Sequence, residues 1–324
     1  MFNRNGLIYL MSRPKARNTE QELAAVGVIA DAPERYDLKR DLAPFLRHKS
    51  NHVIAAAANL AGRLTAEQLI PELQAAFFDL MKHGPARDPA CKALIAITKA
   101  LIAMDVSAAE IYFAGLKYVQ KEGSFGPPVD VAAPLRGFCA RGLARTGHPE
   151  ALYAIVNLLA DPEIPARVGA VQALAETGRP ESELLLRLTL LKGDSEEVLC
   201  ECFTALLNLA PRNSLEFVAR FLKSDSNELR EGAALALGES RLSAALPLLQ
   251  ECYTIHRQPA FRRSLLLSIA LLRQDEGVEF LLSRLEKEPE PLAAAALEAL
   301  ELYSGDESIR GRIETIWNGR KNKA

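Results

Sequence analysis

Five histidines and five cysteines are the side chains in this 324-residue sequence best suited to bind a metal or act as nucleophiles. His48 and His52 stand four apart, a spacing that places two imidazoles on one helical face. The residues between them, Lys49, Ser50 and Asn51, read as a turn, and no carboxylate follows to complete a ligand set. His83 precedes Gly84 and His148 precedes Pro149, so both read as helix-end residues, where an imidazole suits the negative end of the dipole. Cys200 and Cys202 are two apart, which on a helix turns them ~200° away from each other. With Cys91, Cys139 and Cys252 they form no Cys-x-x-Cys and no disulfide framework, so they read as reduced thiols of a cytoplasmic protein. There is no Gly-rich phosphate loop and no Gly-x-Ser-x-Gly. Glu176, Glu239 and Glu298 have no His, Lys or metal partner in the pattern. The sequence therefore assigns no catalytic residue, no metal ligand and no cofactor, and the expectation is a protein that is not an enzyme.

What such a chain does must then come from the elements it builds. Nearly half of it is hydrophobic, mostly Ala and Leu, with one Trp, a bias that suits helices over sheets. A net charge of -2 supplies no global pull towards nucleic acid or anionic membrane. No apolar run approaches the ~18 residues that span a bilayer. The run Gly6–Met11 is too short for a secretory core and is followed by basic residues, and Met11 is as good a start as Met1. Basic residues gather at the ends (Arg4, Arg13, Lys15 and Arg17; Arg320, Lys321 and Lys323) and read as solvated tails.

Between those ends one helix is written repeatedly. Cys139, Ala170, Cys202, Ala233, Leu265 and Ala296 lie 31 or 32 residues apart. Each has an apolar residue or alanine four before it, a small residue three after it (Gly142, Ala173, Ala205, Ala236, Ser268, Ala299) and Leu or Ile four after it. That is one apolar stripe on a 3.6-residue helix, and its small residues admit a close neighbour. A companion helix follows each of the first five anchors, and short Asp-, Ser- and Pro-containing breakers (160–165, 192–197, 223–228 and 287–291) separate the helices and start them well. A pair of this size cannot bury its stripe alone, so the copies are each other's core. Upstream the spacing loosens: Ala56 and Ile97 serve as anchors, on helices expected over His52–Leu64 and Asp88–Asp105. The expected organisation is a basic segment and short helix (1–30), irregular pairs (31–128), regular repeats (129–303), and a capping helix with a frayed basic tail (304–324).

This pattern resembles HEAT repeats, in particular the HEAT-like repeats of the phycobilin lyases. The resemblance covers Val129 to Tyr303 and implies an all-α, right-handed α-solenoid of about eight helix pairs. That family carries a ladder of an Asp before each anchor helix and an Arg near its start. Asp130/Arg136, Asp161/Arg167 and Asp225/Arg230 match it, while Leu199 and Ala293 replace the Arg of other rungs. Family members include phycobilin-lyase subunits, which attach or detach a tetrapyrrole, usually as heterodimers; no residue set here specifies a bilin site. Deoxyhypusine hydroxylase, a HEAT-repeat enzyme, uses His-Glu pairs for iron, and no His-Glu dipeptide occurs in this chain. HEAT-like DNA glycosylases need a basic, aromatic-rich concave face, which one Trp and a near-neutral charge argue against.

In HEAT solenoids the anchor helices line the concave side. Two residues after each anchor stand Arg141, Gln172, Thr204, Leu235, Leu267 and Glu298, and at six after stand Arg145, Glu176, Asn208, Glu239, Leu271 and Leu302. The expectation is a graded groove: Arg136, Arg141 and Arg145 make its middle basic, and Leu235, Leu267 and Leu271 form an apolar patch further along. Such a groove fits a partner protein or amphipathic helix, and self-association is the other use of the same patch. A second candidate is the inserted loop Lys121–Asp130, whose only large apolar side chain is Phe125.

Overall fold

The computed structural model describes residues 19–123 and 126–321, and among them the fold is all-α apart from one two-residue hairpin. The chain divides into two compact units, residues 1–138 and 139–324.

The first unit holds α1 (Thr19–Asp31), α2 (Leu38–Asp41), α3 (Asn51–Arg63), α4 (Ile70–His83), α5 (Lys92–Ala103) and α6 (Ala109–Leu116). The hairpin of β1 (Lys121–Glu122) and β2 (Val129–Asp130) follows, pairing Lys121 with Asp130 and Glu122 with Val129. The anchor helices α3 and α5 pack directly on each other. Their contact is backbone to backbone: a Cβ on Gly62 would stand 2.8 Å from the Cα of Ala100. Helix α5 begins later than its apolar pattern suggests. Ala90 and Cys91 both take left-handed backbone (φ 57° and 52°), and the buried Asp88 carboxylate accepts from Ala93 N and Leu94 N at 2.9 Å. Asp88 also accepts from Asn51 Nδ2 at 2.9 Å, which ties the start of α3 to the start of α5.

The boundary between the units falls within α7 (Ala133–Arg145). The second unit continues with α8 (Ala151–Leu158), α9 (Ile164–Glu176), α10 (Pro180–Lys192), α11 (Glu196–Leu209), α12 (Pro211–Ala219) and α13 (Asn227–Glu239). It ends with α14 (Ala245–Ile255), α15 (Pro259–Leu271), α16 (Asp275–Lys287), α17 (Glu290–Leu300) and α18 (Glu307–Lys321). Anchor helices α9, α11, α13, α15 and α17 pack side by side in one layer, and each companion helix packs on the anchor helix after it. All six regular anchors, Cys139 to Ala296, are fully buried. The small positions do the work their size permits. A Cβ on Gly238 of α13 would stand 2.4 Å from the carbonyl oxygen of Ser268 on α15. Proline in the first turn of α9, α10, α12, α15 and α17 costs no hydrogen bond there and presets the backbone.

The arginine ladder is present: Arg136 holds Asp130 of its own loop at 2.7 Å, but from Arg167 on it is wired forward, from one repeat into the next loop. Arg167 holds the carboxylate of Asp194 at 2.7 Å and donates to the carbonyl of Asp161 at 2.8 Å. Arg262 reaches Glu288 at 2.7 Å, and Arg230 reaches Gln258 at 3.1 Å and Asn227. The expected Asp225/Arg230 rung is therefore not formed. Asp225 occupies the place of Asp194 one repeat on, and the arginine that would reach it is replaced by the buried Leu199. The tail also differs from expectation: α18 packs on α16 and runs on to Lys321. Arg320 is not frayed but donates to the carbonyls of Leu285 and Glu286 at 3.0 and 2.7 Å.

Candidate functional site

The layer of anchor helices in the second unit buries one side against companion helices, so only its other side can present chemistry to a partner. On that side Leu235 of α13 and Leu267 of α15 are 41% and 43% exposed, and Leu271 is half-buried. Leu235 and Leu267 occupy the same place relative to their anchors on adjacent helices, so they form a stripe across the layer. The packing leaves these leucines at the surface while the anchors beside them vanish into the core.

The charges around the stripe are not those expected. Arg136 is 3% exposed, and its guanidinium is committed to the Asp130 carboxylate at 2.7 Å and the Tyr118 carbonyl at 3.0 Å. It is a buried ladder residue of the first unit and offers no charge to a groove. The helical wheel gives a direction to its Cα–Cβ bond, whereas a long side chain curls towards whatever acceptor is close. Arg141 is neutralised by Glu176 at 2.6 Å, and Arg145 is exposed at the end of α7. Phe125 lies outside the described residues. Its loop is anchored by Gln120, whose Nε2 donates to the Asp88 carbonyl at 2.9 Å and to Glu122 at 2.6 Å.

Acids dominate the same face. Leu235 is bracketed one turn away on each side by the exposed Glu231 and Glu239, and α11 adds Glu197 and Glu201. Glu201 is held above the ordinary carboxylate range, first by burial, with Glu239 and Glu197 pushing the same way against a hydrogen bond from Gln172 and the charge of Arg141.

None of Cys91, Cys200, Cys202 and Cys252 has the surroundings of an activated nucleophile. Burial pushes Cys91 up to about 12 and Cys252 to about 11, and raises Cys200 and Cys202 as well, so these thiols stay protonated near neutrality. His52 contacts Lys92 Nζ at 2.9 Å, His48 accepts from Ser50 N at 3.1 Å, and the two histidines serve separate local contacts. Among the described residues no three of His, Cys, Asp and Glu gather to hold a metal ion. No helix of the described residues is long and apolar enough to cross a membrane.

One surface escaped the sequence reading. Companion helix α10 exposes Leu184, Leu188 and Leu191 (68%, 59% and 74%) in a single stripe, with Tyr153 of α8 also exposed. The segment Glu183–Lys192 is apolar nearly all round, so its periodicity does not separate a buried face from a free one.

Stacked antiparallel helix pairs with a shared core define an all-α solenoid, a class whose members differ mainly in the surface they present. Its repeats are HEAT repeats: the HEAT repeats model matches residues 183–256, and the PBS lyase HEAT-like repeat model matches residues 135–161. No curated protein matches the chain. Among solved structures it is similar to a chain from the complex of CpcE and CpcF of phycocyanin lyase from Nostoc sp. PCC7120, at 15% identity, over 88% of this chain and 95% of that one, with a TM-score of 0.37. It is also similar to an engineered protein (19% identity, 91% of this chain and 84% of that one, TM-score 0.36). A third similarity is to human deoxyhypusine hydroxylase (15% identity, 89% of this chain and 97% of that one, TM-score 0.26). None of these similarities bears on activity.

Proposed function

We propose that this chain is a non-catalytic scaffold whose second unit binds a segment of a partner protein on the open side of its anchor helices. The observation that carries the reading is the pair Leu235 and Leu267, exposed in register on adjacent helices where a strut would be polar. A solenoid presents such a stripe on a rigid frame, so a partner loses little in ordering the surface it meets. Leu271 extends the stripe along α15.

The test compares proteins captured from native lysate by wild type and by Leu235→Asp/Leu267→Asp/Leu271→Asp, with circular dichroism to verify that both are helical. The expected result is a protein retained by wild type and lost by the folded variant. Identical captures remove this face as the site.

A second reading, a subunit of a chromophore-handling lyase, is favoured by one observation, the PBS lyase HEAT-like repeat over residues 135–161. Adding a bilin and recording its absorbance decides it: an altered spectrum on the wild-type chain supports that reading, and an unchanged one removes it.

A further inference from the structure

Charge on the open face of α9, α11, α13, α15 and α17 is one-sided, the basic Arg141 and Arg145 lying on α7, and the ordinary structural reasons for placing charge do not explain it. Acids at helix starts need no other explanation, since they favour the positive end of the dipole, and Glu196, Glu197 and Glu228 are of that kind. Glu201, Glu231, Glu239 and Glu298 are not. Glu231 lies beyond the first turn of α13, Glu201 in the middle of α11 and Glu298 near the end of α17, while Glu239 is the last residue of α13, where a carboxylate meets the negative end. None of α9, α11, α13, α15 and α17 has a basic residue in its last turn, whereas companion helices α10 and α16 do. The arginines of these anchor helices are otherwise occupied: Arg167, Arg230 and Arg262 point into the loops as ladder residues. Only Arg263 of the five helices is an exposed cation on this side.

We infer that the partner segment is a cationic amphipathic helix, whose apolar residues cover Leu235 and Leu267 and whose lysines or arginines meet Glu231, Glu239, Glu201 and Glu298. The inference rests on the scaffold reading above and adds the chemistry of the partner. An exposed apolar stripe flanked by carboxylates selects against acidic and neutral helices, because each would leave those acids partly desolvated without a counter-charge.

The probe is a fluorescent synthetic helix of leucine and lysine at amphipathic spacing, titrated with the full chain and followed by anisotropy. An isosteric leucine–glutamate helix and a scrambled leucine–lysine peptide serve as controls. The expected result is binding of the ordered cationic helix alone, weakened by salt. Glu231→Lys/Glu239→Lys should weaken it by roughly tenfold or more. Glu216→Lys/Glu251→Lys, the same charge change on the companion helices, should leave it unchanged. Equal loss in both charge variants means that net charge alone is read and overturns the inference. If the Leu235→Asp/Leu267→Asp variant loses its lysate partner while the face charge reversal keeps it, the scaffold reading stands and the cationic chemistry fails. If the cationic helix binds Leu235→Ser/Leu267→Ser, which removes the apolar cover without adding charge, as tightly as wild type, it is held elsewhere and the inference fails.

Discussion

At the scale of single residues, Arg136 and Asp130 show how much depends on what a side chain finds rather than where it starts. Their ion pair is almost wholly buried, and Asp130 also accepts from Gln120 N and Ala132 N at 3.1 and 3.0 Å. Burial alone would raise the Asp130 carboxyl, but the Arg136 hydrogen bond and the two backbone N–H groups outweigh it, and it lies below the ordinary carboxylate range. A carboxyl depressed in the folded state contributes stability that is present above its unfolded pKa, about 3.9, and is lost as pH falls through the folded value. Arg136→Leu leaves that carboxylate buried without its counter-charge, which should cost about 3–5 kcal/mol at pH 7. Urea unfolding across pH 3–7 checks this, and the gap to wild type should narrow below about pH 4 as Asp130 protonates in both. A gap that stays constant with pH would mean that Arg136 acts by packing alone. The sequence marked Arg136 twice, as a ladder residue and as a groove cation. Only the first role survives, because spacing reports which residues share a face and not which acceptors lie within an arginine's reach.

At the scale of elements, the anchor helices were legible because period, small residues and breakers agree with one another. The same agreement fails at α10, where leucine on every side hides the orientation, and at α5, where two left-handed residues delay a start that the apolar pattern places earlier. Close contact between anchor helices makes a sharp prediction. Gly238→Ala adds a methyl 2.4 Å from a backbone oxygen of α15, so the layer must open. The roughly 1 kcal/mol that alanine offers a helix interior is then outweighed by overpacking, for a net loss of about 1–3 kcal/mol. Gly311→Ala on α18 has nothing within 4 Å of the new methyl and should gain up to about 1 kcal/mol instead. Thermal unfolding of the two variants, which make the same chemical change, separates helix propensity from layer spacing; equal shifts would show that the layer yields.

At the scale of the whole molecule, repetition is what permits function to sit anywhere along the surface. A globular core is specified by contacts distant in sequence, whereas here each helix pair is closed by its neighbours. Sequence reasoning could therefore find the architecture from one row of anchors, yet the binding face needs the side chains that no repeat shares, such as Leu235, Leu267 and Glu239. The forward wiring of the ladder follows the same logic and can be tested by removing a repeat. Deleting Ala170–Glu201 joins the first half of α9 to the second half of α11 with the anchor register kept. Arg167 then stands where Leu199 stands in the full chain, and the next loop supplies Asp225 in place of the deleted Asp194. The shortened chain should remain helical and unfold cooperatively, with the stripe of Leu235 and Leu267 untouched. Asp225→Asn should destabilise the shortened chain by about 1–3 kcal/mol, the contribution of a hydrogen bond to a charged group, and should leave the full chain nearly unchanged. Equal effects in both chains would show that the arginine reaches its own loop rather than the following one.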